Sequence, residues 1–162
     1  IEFKDMKASY AKGYFGQYEI SDVTSVSIKQ MKNVITESLL LDSINLDLSV
    51  KNGFKLFTKA TFSQIRGYNS NTNNIVDLTF PNLNSAININ PANGGLYDYL
   101  ASTYNIGINS ANSNVLSFIE NLPDSIQIGF TININPDGNV TAGDDEYFPS
   151  LPQLLRSRFI TE

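Results

Sequence analysis

A β-dominated α+β fold is the class this sequence predicts: antiparallel strands in a sandwich or strongly twisted sheet, with two or three short helices. Three observations predict it. The pentapeptide Ile-Asn-Ile-Asn-Pro occurs at residues 87–91 and again at 132–136, each time running into an Asn/Gly turn signal. A looser version spans 44–54, where Ile44, Leu46, Leu48 and Val50 alternate with polar residues and stop at Asn52-Gly53. Apolar residues at every second position mark a strand with one dry face, and Pro, Asn and Gly mark its end.

Taken in order, residues 7–20 carry aromatic and β-branched residues interrupted by Gly13 and Gly16, the pattern of two short strands or one bulged strand. Val26 and Ile28 alternate with serines as a further strand. Met31, Val34, Ile35 and Leu39 share one face of a helix over 30–41. Beyond Asn52-Gly53, the parity of Phe54, Leu56, Ala60 and Phe62 predicts a long strand that forms a hairpin with 44–50. Residues 69–74 form an exposed polar loop. Strands are expected at 75–80 and 83–89, and a short helix around Leu96, Tyr97, Leu100 and Tyr104. A clearer helix is capped by Asn112 or Ser113, carries Val115, Leu116, Phe118, Ile119 and Leu122, and stops at Pro123. The strongest strand is 126–134. The tail over 149–159 reads equally as a short helix or an extended segment.

Composition narrows the chemistry. A chain of 162 residues is about one domain, with a core that needs no covalent staples. We read residues 1–162 as a single β-rich domain. Because Ile1 is not an initiator Met, it is expected to be a fragment of a longer extracytoplasmic protein. Zero Cys and zero His remove thiolate chemistry, the commonest general base and the commonest transition-metal ligand. A net charge of −5 with 11 basic residues argues against nucleic acid, and no Gly-rich loop leads into Lys-Ser/Thr to hold a nucleotide. The longest apolar cluster, Leu39-Leu40-Leu41, is far short of the roughly 20 residues of a bilayer span, so this chain has no transmembrane segment of that kind. The 20 asparagines against few charges favour turns and a polar amide surface, and an extracytoplasmic setting.

Four sets of residues are candidates for function. Asn133, Asn135, Asp137, Thr141 and Asp144 overlay the oxygen-ligand spacing of a calcium loop, with Gly138 at its sixth position, and so mark a weak calcium site. Asn replaces the first acid, Pro136 falls inside, and a strand precedes it where a helix should. The competing reading is a β-hairpin turn over 136–139, with no cofactor at all. Asp144, Asp145 and Glu146 beside Tyr147 and Phe148 supply carboxylates for a hydrolase, against a solvated acidic loop as the simpler reading. Tyr10, Tyr14, Phe15 and Tyr18 offer flat rings to a lipid or glycan, against plain core packing. Asn139-Val140-Thr141 matches an N-glycosylation acceptor.

The Lys12-Gly13-Tyr14-Phe15-Gly16 stretch, the Asn52-Gly53 turn, Asn112-Ser113-Asn114 before a helix closing on Leu122-Pro123, and the Asn135-to-Asn139 turn together resemble uncharacterised envelope lipoprotein β domains of Bacteroidetes-type bacteria. The resemblance implies an envelope or cell-surface location and lipidation upstream of Ile1. It also implies O-glycosylation at Ser43 and Ser125, each in an Asp-Ser-Ile triplet. The functional expectation is a non-catalytic structural or interaction module with a protein or envelope partner; the alternatives are a lipid- or glycan-binding module and a carboxylate-based hydrolase.

Overall fold

The computed structural model describes residues 10–28, 39–95, 98 and 100–147, together with the backbone of 158–160. The strands are β1 (Ala11–Lys12), β2 (Tyr18–Ser27), β3 (Asn45–Asn52), β4 (Thr58–Asn69), β5 (Asn74–Asp77), β6 (Ile87–Ile89), β7 (Ser102–Asn109), β8 (Ser125–Ile134), β9 (Glu146–Tyr147) and β10 (Arg158–Ile160). One helix among the described residues, α1 (Val115–Glu120), precedes β8.

The strands form two main antiparallel sheets. The larger runs β2-β8-β4-β5, with β6 also on β4; the smaller runs β10-β3-β7; and β1 with β9 makes a separate ribbon. The two main sheets face each other across one core. Leu46, Leu48 and Val50 of β3 and Ile106 and Ile108 of β7 join Ala60, Phe62, Ile65, Ile126 and Ile128 of the larger sheet in a single buried cluster. Burying such a side chain contributes roughly 1.5 to 3 kcal/mol, so this alternation is what holds the two layers together. The β-dominated antiparallel fold is therefore as expected, although the described residues hold one helix where two or three were anticipated.

Long β4 keeps its dry face by changing phase. Thr58, Ala60 and Phe62 are buried, then Ile65, Gly67 and Asn69 are, and the register against β8 shifts between Phe62 and Gln64. Ser63 is thus the extra residue of a β-bulge. Opposite it stands Gly129, where an added Cβ would lie 2.6 Å from the Ser63 hydroxyl, so glycine here makes room for the bulge. Farther along, Gly67 makes room for the helix: a Cβ would meet the Phe118 ring and Pro123 at 3.0 Å each. Val115 and Phe118 bury one face of α1 on this end of the sandwich.

Several expectations are corrected. The hairpin of 44–50 with 54–62 does not form: β3 pairs with β7, β4 pairs with β8, and the chain crosses between sheets at Asn52-Gly53. The Asn52 side chain, 1% exposed, builds that corner. Its Nδ2 donates to the carbonyls of Leu56 (3.0 Å) and Asn90 (3.0 Å) and to Thr58 Oγ1 (3.3 Å), while its Oδ1 accepts the Phe54 N–H at 2.9 Å. No helix uses Leu100 and Tyr104. Leu100 closes a two-bond bridge with Asn93, and Tyr104 stands opposite Val50 within β7; Leu96 and Tyr97 lie outside the described residues. Of the helix read over 30–41, residues 30–38 lie outside the description and 39–41 are not helical. Nearly all of the 149–159 tail also lies outside it, save the extended backbone of β10.

The helix at 115–120 sits within the stripe read for it but ends before Leu122, and its N-cap position is Asn114, not Asn112 or Ser113. Ser113 Oγ accepts the Val115 N–H at 3.2 Å, and Asn114 instead ties Thr79 N–H (2.7 Å) to the Asp77 carbonyl (2.9 Å). Among the described residues, no helix is long and apolar enough to cross a membrane.

Candidate functional site

At the end of the sandwich away from α1, the chain ties a polar knot that positions an apolar pocket. β8 ends in Ile134, and Asn135 then adopts φ 47°, a left-handed conformation that Asn tolerates better than most residues. Gly138 N–H bonds back to the Asn135 carbonyl at 2.9 Å, closing a turn with Pro136 at its first corner. The turn falls one residue earlier than the 136–139 read from the sequence, and it closes no hairpin, because the strand that follows, β9, pairs with β1.

Asn135 is 1% exposed and Asp145 fully buried. Asn135 Nδ2 donates to Asp145 Oδ2 (2.7 Å) and to the Gly16 carbonyl (3.2 Å). Asp145 also accepts the Phe15 N–H on Oδ2 (3.2 Å) and the Thr141 hydroxyl on Oδ1 (2.7 Å). Three neutral donors thus hold the carboxylate, and a buried acceptor satisfied this way fixes the groups around it. What it fixes here is the segment carrying Phe15. Two ion pairs brace the same ribbon: Lys12 with Asp144 at 2.7 Å and Lys55 with Glu146 at 2.7 Å. The pairing holds Asp144 below the usual carboxylate range and raises Lys12, in both cases first through the side-chain hydrogen bond and then through the opposite charge.

The pocket beside this knot has a volume of about 220 Å³ and is lined by Phe15, Tyr18, Phe54, Leu56, Ile134 and Tyr147, with no polar surface in its wall. The Phe54 and Tyr147 rings stack, 6.3 Å between centroids and 15° apart in plane. Five different elements or turns therefore converge on one aromatic hollow. Of the rings singled out in the sequence, Phe15 and Tyr18 line it. Tyr10 and Tyr14 remain at the surface outside it. Phe54, Leu56, Ile134 and Tyr147 were missed, although the aromatic after the Asn52-Gly53 turn and the one after the acidic triplet were visible signals. A second, more polar hollow of about 240 Å³ lies between Phe57, Asn90 and Pro136, with Lys59 and Asp137 paired at 2.9 Å in its wall.

Strand β2 leads away from the pocket, and its whole length is exposed. Tyr18, Ile20 and Val26 stand opposite Ile134, Ile132 and Ile126 of β8, on the face that β8 turns to the core. Yet they are 60, 50 and 42% exposed. Beside the pocket, then, the inner face of the larger sheet extends past its cover.

The calcium-loop residues are drawn to separate partners. Asn133 sits within β8 opposite Lys59, Asp137 pairs with Lys59, Asp144 with Lys12, and Thr141 and Asn135 converge on Asp145. The acid that gathers the loop is one residue later than the spacing assigned. No group of three or more acidic side chains able to hold a metal ion is found among the described residues. The acidic triplet is likewise split three ways, to Lys12, to the buried knot and to Lys55, so its carboxylates do not face one another across a cleft. Ser43 is exposed, whereas Ser125 is half-buried at the start of β8. Asn139 accepts the Gly143 N–H at 2.8 Å on its side chain.

No family model matches the chain, and neither a curated protein nor a solved structure matches it.

Proposed function

We propose that this chain is a non-catalytic interaction module, working outside the cytoplasm, that holds an apolar group of a partner in the pocket between Phe15, Phe54 and Tyr147. The single observation that carries this reading is an open, wholly apolar hollow fixed in place by a buried polar knot. An apolar cavity of ~150 Å³ suffices for a benzene-sized guest, so a hollow of about 220 Å³ suits one hydrophobic side chain or the end of an acyl chain. It falls below the ~300 Å³ at which most small-molecule sites begin. A sugar would bring hydroxyls that this wall cannot meet, which favours a side chain over a glycan. The absence of His and Cys from the sequence and the three-way division of the acidic triplet support a non-catalytic role. The amide-rich, low-charge composition supports an envelope or surface setting.

Backbone amide shifts during titration with N-acetyl-phenylalaninamide test the reading. The shifts should centre on Phe15, Tyr18, Phe54, Ile134 and Tyr147 and vanish in the pocket-filling variant Ile134→Phe. Shifts spread evenly over the surface, or unchanged in that variant, would remove the pocket from function.

A further inference from the structure

Resting on that reading of the pocket, we infer that the free edge of β2 takes an extended segment of a basic partner protein as an added strand, with one of its apolar side chains seated in the pocket. β2 is the end of its sheet: it pairs with β8 and with no other strand among the described residues. The backbone shows which groups the open edge offers. Val23 N–H bonds to the carboxylate of its own neighbour, Asp22 Oδ1, at 2.7 Å, and so points away from β8. In an antiparallel strand these groups alternate sides residue by residue. The N–H and C=O of Glu19, Ser21, Val23, Ser25 and Ser27 therefore face outward. Two further bonds agree. Ile28 N–H, of the other parity, points inward to the Asp124 carbonyl at 2.7 Å, and the Ser21 and Thr131 hydroxyls meet at 2.8 Å, as side chains do in the closer, non-hydrogen-bonded pairs.

Such an edge is a template for one more strand unless it is guarded. The guard here is Asp22, folded over the central N–H. Charge selects the occupant. The only charged residues of β2 are Glu19 and Asp22, both acidic, on a chain of net charge −5. A second copy would bring four carboxylates to one seam, whereas a strand bearing Lys or Arg would draw Asp22 off the Val23 amide and neutralise it. The uncovered row of Tyr18, Ile20, Asp22, Thr24 and Val26 gives that strand apolar positions at both ends and a carboxylate in the middle, where a Lys or Arg of the partner would meet Asp22, and Tyr18 is shared with the pocket wall. The partner is thus an alternating apolar and polar segment with basic residues and one large apolar anchor.

The test is a selection of displayed random ten-residue peptides, matched to the ten residues of β2, against the whole chain. Enriched sequences should alternate in polarity and carry Lys or Arg. Amide exchange in the complex should slow at Ser21, Val23 and Ser25. Binding should fall about tenfold or more in Val23→Pro, which deletes the central outward donor, and the preference for basic peptides should invert in Asp22→Lys, which keeps the backbone intact should the proline variant fail to fold. No binder, or binders without alternation, would overturn the inference. Peptides sensitive to Ile134→Phe but indifferent to both β2 variants would leave the pocket and remove the added strand, and the reverse pattern would leave the strand and remove the anchor. A dimer by light scattering that Val23→Pro dissolves would make the occupant a second copy. Sedimentation with phosphatidylcholine vesicles would make it a lipid.

Discussion

Strands β8 and β2 are both ten residues long and lie opposite each other residue for residue from Tyr18–Ile134 to Ser27–Ser125; β8 alternates in polarity throughout, whereas in β2 Asp22 and Val23 exchange the faces that alternation would give them. Ile126, Ile128 and Ile132 of β8 are nevertheless buried, while all ten residues of β2 are exposed. The difference is position: β8 has β4 on its far side and the smaller sheet over its face, whereas β2 closes the larger sheet. Alternation thus sets which side chains share a face. Coverage of that face is a property of the layer above.

The largest effect that would break this comparison is in the core. Leu48→Ala, at a fully buried site in the core between the two sheets, should cost about 3 to 5 kcal/mol in urea unfolding, and Ile20→Ala less than ~1 kcal/mol. Equal losses would mean that β2 is covered after all. Next, Asp145→Ala strands the Phe15 and Asn135 donors and the Thr141 hydroxyl, and should cost about 2 to 3 kcal/mol. Exchange of the Phe15 amide should accelerate with it, which a purely global loss would not single out. Gly67→Ala pushes a methyl into Phe118 and Pro123 and should cost about 1 to 2 kcal/mol, against ~0.5 kcal/mol for Ser21→Ala, which loses an exposed hydroxyl contact on β2.

The smallest effect is electrostatic. Asp77, hydrogen-bonded to Arg66 at 2.7 Å, and Asp144, paired with Lys12, both titrate below the usual carboxylate range. Carboxylates lowered in the folded state contribute stability above their unfolded pKa that is lost as pH falls through the folded value. Arg66 and Lys12 are raised in turn, so their share is present below their unfolded pKa and is lost only as pH climbs through the higher folded one. Stability should therefore drop modestly in acid below the usual carboxylate range, and the drop should shrink in molar salt because these pairs face solvent. An acid loss insensitive to salt would mean that these two exposed pairs are not its source.

Much of the fold was legible locally. The parity of Leu46, Leu48 and Val50, of Ala60 and Phe62, and of Ile126 and Ile128 marked their buried faces, and Pro123 marked the end of the helix. Asn52-Gly53 announced a turn, but a hairpin and a crossing between sheets begin with the same residues. The choice lies in the bonds of the Asn52 side chain to Leu56 and Asn90, the latter 38 residues away. The bulge at Ser63 left only a faint trace, the glycine opposite it at position 129. In the loop after β8 the ligand-like spacing pointed to Asp144, while the buried acid is Asp145, because the left-handed turn at Asn135 and the pairing of β9 with β1 set which side chain points inward. Phe15 and Tyr18 were legible as candidate ligand-binding rings, against plain core packing, but their partners Phe54, Leu56, Ile134 and Tyr147 come from segments far apart in the chain.

By itself, then, the sequence determined the periodicity of each strand, the places where the chain turns, and the shortage of proton-transfer groups, since these depend on neighbours a few residues apart. Tertiary structure alone decided which sheet each strand joins, which alternating face stays open to water, and which carboxylate is buried to hold the aromatic pocket. Those outcomes depend on contacts between residues as distant as Phe15 and Asp145, which no local pattern encodes.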